Sequence, residues 1–131
     1  ENKRAGHMLP TGDPERFLLV HVEATDQEGR LVASLQHRIG QRWEWHPVAR
    51  KLSDNRLAPG ERREFSLNFS QPKDGAVVEL SIDHVRITKE NLDYHIELVR
   101  SGHSGPSAEE LRGYPRQRRV LKKTVRVVPG G

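Results

Sequence analysis

The sequence predicts a mainly β fold: an antiparallel, immunoglobulin-like β-sandwich with one short helix before the last strand. Three observations predict it. Residues 17–25 are an alternating, β-branched-rich run, and residues 30–39 form its return strand after the polar turn Asp26-Gln27-Glu28-Gly29. Residues 62–69 and 76–87 repeat the two-residue alternation, and residues 118–128 close the chain as a further strand. Helical spacing of apolar residues is confined to a single stretch, with Leu92, Ile96 and Val99. A length of 131 residues suits one domain over 1–131. Glu1 opens the chain without a Met or a signal-like segment, so a processed chain or a piece of a longer protein is expected.

Before the first strand, Ala5-Gly6-His7-Met8-Leu9-Pro10-Thr11-Gly12 packs strong backbone constraints into eight residues. Pro10 fixes its own φ and biases Leu9 away from the helical region. The path is rigid, and it holds His7 at a set place. In the hairpin that follows, pairing Thr25 with Arg30 sets Leu18, Val20, Val22 and Ala24 opposite His37, Leu35, Ala33 and Leu31. All but His37 are apolar, so this face is assigned to the core, with His21, Glu23, Ser34 and Gln36 toward solvent.

Residues 40–61 read as a long connection that holds both tryptophans, Trp43 and Trp45, and His46. Two readings stand for the indoles. They cap the open end of the sandwich, or they form a flat aromatic surface for a partner or cofactor. The turn Pro59-Gly60-Glu61 leads into a strand with Phe65, Leu67 and Phe69 inward. The strand over 76–87 loses its alternation near Asp83 and His84, which predicts a bulge there. Thr88 is placed to cap the helix, and Gly102 to end it, with a strand over residues 94–99 as the alternative. Ser107-Ala108-Glu109-Glu110 is a capping box before one short turn. Val20, Val22, Leu35, Phe65, Leu67, Val78 and Leu80 are expected to share the core.

Composition removes several functions. Cysteine is absent, so this chain holds no disulfide, thiolate metal site, cysteine nucleophile or Cys-x-x-Cys-His haem attachment. No apolar run is long enough to span a membrane as a helix. Hydrolase, nucleotide-binding and zinc-protease motifs are missing, and Asp83, His84 and His95 have no accompanying nucleophile; no enzyme is expected. The net charge is +4, and 16 of the 22 basic residues are arginine, a side chain suited to planar anions. The densest basic cluster, Arg116, Arg118, Arg119, Lys122, Lys123 and Arg126, reads either as a charge-guarded edge strand or as an anionic-partner surface. It lacks the interleaved aromatics and motifs of a nucleic-acid site. The seven histidines form no short-range ligand pair. A copper site would need His7, His37 and His46 to meet beside Met8.

The segment Gly6-His7-Met8-Leu9-Pro10-Thr11-Gly12, with Asp13-Pro14-Glu15-Arg16 and the alternating strand after it, resembles the non-haem β-domain of bacterial multihaem c-type cytochromes. Asp54-Asn55-Arg56-Leu57-Ala58-Pro59-Gly60-Glu61 is similar to a second motif of that family, and Thr88–His95 looks like its late helix. The resemblance implies a periplasmic or cell-surface electron-transfer assembly. Its haem c would be carried by a neighbouring segment or a separate cytochrome subunit, because this chain has no attachment motif. It implies a non-catalytic domain that docks on and shields haems, with His7 as the candidate axial ligand and Trp43, Trp45, His46, Arg116, Arg118 and Arg119 as candidate partner contacts. The competing expectation for His7 is a hydrogen-bonding role that locks the Pro10–Gly12 turn. The alternative function is a free-standing periplasmic module that binds copper, a carbohydrate or an anionic ligand.

Overall fold

The computed structural model describes residues 1–129. The chain is mainly β and sandwich-like. It runs β1 (Phe17–Thr25), β2 (Leu31–Glu44), β3 (Arg50–Asp54), β4 (Ala76–Val85), α1 (Lys89–Arg100), α2 (Ala108–Arg112) and β5 (Gln117–Val127). The five strands form one antiparallel sheet in the order β3-β2-β1-β4-β5.

The β1–β2 hairpin pairs Val22 with Leu35 and Val20 with His37, two residues away from the register expected from the sequence. The turn explains the slide. The Asp26 Oδ1 accepts the backbone N–H groups of Glu28 and Arg30 at 3.0 and 2.9 Å, and Gly29 takes φ +79°. Pairing then starts at Thr25 and Leu31, with Val32 bulged between Leu31 and Ala33. A slide of two residues leaves every side chain on its expected face, because the strand period is two.

β2 is longer than expected. It continues through Gly40 to Glu44 and pairs with β3, so much of the expected connection is a second hairpin. Gly40 sits opposite Phe17, where an added Cβ would lie 2.7 Å from the Phe17 Cβ and 3.1 Å from the Arg16 carbonyl oxygen, so a side chain there would force the strands to shift. In β4 and β5 the register shifts between Ile82 and Asp83, close to the expected bulge, with Val120 as the extra residue.

The core gathers on the face that carries Val20 and Ile39, both 2% exposed, with Leu57 buried against them and Leu9, Leu18, Phe65, Leu80 and Ile82 around them. Val22, Leu35, Leu67 and Val78, expected in the core, are half-buried. Opposite the sheet lie two other pieces of chain. Leu9 and Leu57 form an isolated antiparallel bridge, and Asn2 is bonded to Gly60 and Glu61. Residues 62–70 then cross the sheet with Phe65, Leu67 and Phe69 inward as expected, but they pair in no ladder among the described residues. This stretch alternates like a strand and is the outer layer of the sandwich.

Two helices precede β5. Thr88 caps α1 by accepting from the Asn91 N–H, and Leu92 and Ile96 face inward. Ser107 and Glu110 form the capping box of α2, which ends at Gly113.

Candidate functional site

The clearest concave surface lies where the far end of β2, the segment 13–16 before β1, and the first turns of α1 approach one another. A cleft of about 400 Å³ lined by Phe17, Arg38, Trp43, Trp45 and Asn91 adjoins one of about 590 Å³ lined by Asp13, Trp45, His46, Tyr94 and His95. Pro14, Glu15, Trp45 and Asn91 line both, so the two form one trough.

The extension of β2 builds its aromatic wall. Trp43 and Trp45 are two residues apart, so an extended backbone puts both indoles on one side. They stack with ring centroids 5.4 Å apart and planes 11° from parallel. The Trp43 Nε1–H donates to Gln41 Oε1 at 2.6 Å, which fixes that ring. Trp45 remains 44% exposed and Tyr94, across the trough, 60%.

The floor carries positive charge. The Arg38 guanidinium lies 4.2 Å from the Phe17 ring centroid, a cation–π contact. Burial, and next the neighbouring Arg42 charge, pull the Arg38 pKa below its ordinary value. It remains a cation at physiological pH, because an arginine is not deprotonated there. Asp13 and Glu15 border the trough on the other side.

His46 lines the trough beside Trp45. The arginines at the C-terminal end do not join them. β5 is the sheet edge opposite β3, so β1 and β4 separate it from β2, a span of about 14 Å at the usual strand spacing. Arg119 pairs with Asp83 across β4, and Lys122 pairs with Glu79 at 2.9 Å. Arg118 lies in register with His84, and the Arg116 carbonyl accepts the Arg86 N–H at 2.7 Å. Two members of the basic cluster are thus tied to acids on the neighbouring strand, the arrangement of a guarded edge.

His7 is exposed on the segment that Leu9 fastens to Leu57. Its Nδ1 lies 3.0 Å from the Met8 carbonyl, and its own carbonyl accepts from the Asn2 Nδ2 at 2.9 Å. If Nδ1 carries the proton, the bond to Met8 leaves the Nε2 lone pair outward. His7, His37 and His46 are not brought together. The half-buried His37 packs against Phe65 with ring centroids 5.0 Å apart and planes tilted by 50°, and no group of three or more possible metal ligands forms among the described residues.

Phe17, Arg38, Gln41 and Tyr94 are trough residues that sequence reasoning did not single out. A signal existed for one pair: the β1–β2 alternation already sets Arg38 and Phe17 on one outer face. Tyr94 and His95 carried none, since their role depends on where α1 docks. No protein-family model, curated protein or solved structure matches this chain.

Proposed function

We propose that this chain is a non-catalytic docking domain that binds another protein through the trough at Trp43 and Trp45. The observation that carries this reading is the placement of the tryptophans. The chain has two, and both are stacked at the wall of an open cleft rather than spent on the core. Large aromatic faces with arginine beside them are the usual anchors of protein interfaces.

The partner is a multihaem c-type cytochrome, as the resemblance implies, which carries its own haem attachment motifs. Three features support that choice. Arg38 and Arg42 at the floor suit carboxylates such as haem propionates. The two motif segments of the resemblance are bonded to one another through Leu9 and Leu57. His7 lies exposed beside that paired unit with its Nδ1 3.0 Å from the Met8 carbonyl, and in the Nδ1–H tautomer its Nε2 lone pair is the one available to a metal. The expected setting is the periplasm or the cell surface. Among the described residues, no helix is long and apolar enough to cross a membrane.

The test is a calorimetric titration of the chain with a purified tetrahaem c-type cytochrome. Saturable binding that weakens at least tenfold in Trp45→Ala, with an unchanged circular dichroism spectrum, is the expected result; tenfold corresponds to about 1.4 kcal/mol. Absence of binding, or binding indifferent to Trp45→Ala, overturns the reading.

A further inference from the structure

Residues 62–70 pose an accounting problem. Their burial alternates residue by residue, half-buried at Arg63, Phe65, Leu67 and Phe69 and exposed at Arg62, Glu64, Ser66, Asn68 and Ser70. That is the side-chain pattern of a strand. Yet among the described residues none of their backbone N–H or C=O groups has a hydrogen-bond partner in the chain. A row of unpaired backbone groups on an extended segment is a template for another strand.

The ladder has already begun at one end. Gly60 donates to the Asn2 carbonyl at 2.9 Å, and Asn2 donates to the Glu61 carbonyl at 2.9 Å. Gly60 takes φ +77°, which makes this a glycine bulge in an antiparallel pair. The Glu61 carbonyl therefore marks one edge of the segment. Backbone groups alternate between edges along a strand. Residues 63, 65, 67 and 69 share the edge of Glu61, where Asn2 already pairs, and residues 62, 64, 66, 68 and 70 present theirs on the other edge, which has no hydrogen-bond partner among the described residues.

We infer that this open edge pairs with the same edge of a second copy of the chain, antiparallel about Ser66. A two-fold axis at Ser66 sets Ser66 opposite Ser66, Glu64 opposite Asn68 and Arg62 opposite Ser70. No like charges face one another. On the inner side, Phe65 meets Leu67 of the other copy, an apolar cross-strand pair. The edge is its own complement, which is what an isologous dimer requires. Surface area agrees. The chain exposes 9403 Å², whereas a folded monomer of 15.0 kDa exposes about 7,000 Å². The excess is ample for the roughly 800 Å² per partner of a standard interface. The joined pair would be a two-stranded outer layer shared by two sheets.

Sedimentation equilibrium of the full chain tests the inference. A monomer–dimer equilibrium that shifts to dimer as concentration rises is expected. Hydrogen exchange should slow in residues 62–70 as dimer forms. Ser66→Pro removes the central donor, which makes no bond within the chain, and should leave a monomer with an unchanged circular dichroism spectrum. Asn68→Glu tests the register without touching the backbone. It opposes two carboxylates at each Glu64 and should weaken the dimer several-fold, and Glu64→Lys in the same chain should restore it. A monomer at every concentration overturns the inference, as does a dimer indifferent to both variants, or one whose protected amides lie in β3 or β5.

Discussion

Leu9 and Leu57 exchange both backbone hydrogen bonds, each at 2.8 Å, and so fasten the opening segment to the turn before residues 62–70. Leu57 is 8% exposed and packs on Val20 and Ile39. Its side chain therefore couples the outer layer to the sheet. Leu57→Ala should cost about 2–4 kcal/mol, the range for a buried leucine that leaves a cavity. Urea denaturation checks this, and a loss below about 1 kcal/mol contradicts the coupling.

Asn55 continues the β2–β3 ladder with its side chain. Its Oδ1 accepts the Gly40 N–H at 2.8 Å, and its Nδ2 donates to the Arg38 carbonyl at 2.8 Å. These bonds hold the part of β2 that carries Arg38 into the trough. Asn55→Ala should destabilise the fold by about 1 kcal/mol or somewhat more, since it leaves the part-buried Gly40 N–H without its acceptor. The same denaturation measurement applies, with Asn55→Asp falling between because it keeps the acceptor and loses the donor.

Stability should fall on acidification in two steps. Burial, followed by the charges of Arg16 and Arg86, holds the His84 pKa below its ordinary value. Folding thus favours neutral His84, and its contribution is complete above about pH 6.5 and declines as pH drops below that. Asp54 is held low first by its Arg56 hydrogen bond, Asp26 by the Arg30 backbone N–H, Glu61 by the Ala58 backbone N–H and Glu110 by Ser107. Folding favours their ionised forms, so their contribution is complete above about pH 4 and lost below it. Melting temperature measured from pH 8 downward should show both declines, and His84→Gln should remove the upper one. A rise in melting temperature between pH 7 and 5 contradicts the His84 assignment.

Much of the sheet was legible because alternation is a local signal. β1 falls on the residues that alternate, and α1 starts at the Thr88 cap. The hairpin register was not legible, because it depends on the Asp26 carboxylate closing a wider turn. β3 was missed because Arg50-Lys51-Leu52-Ser53-Asp54 is exposed throughout and has no apolar face to alternate. Val20 and Val22 were both expected in the core, but Val20 is the more deeply buried because Leu57, distant in sequence, packs with it. Val20→Ala should accordingly cost more than Val22→Ala, at about 1–3 kcal/mol. The Trp43–Trp45 wall was visible as a two-residue spacing, but the trough needs α1 beside it, and that placement is tertiary.

The central claim is that the trough is the docking surface. Two-dimensional ¹⁵N–¹H NMR of the labelled chain, titrated with an unlabelled tetrahaem c-type cytochrome, tests it most directly. The chain has two tryptophans, so its indole N–H peaks report on the trough alone. The account predicts that both indole peaks and the backbone amides of Arg38, Gln41 and Tyr94 shift or broaden first, while the β5 amides stay in place. Shifts confined to Arg116, Arg118 and Arg119, with both indole peaks unmoved, would contradict it.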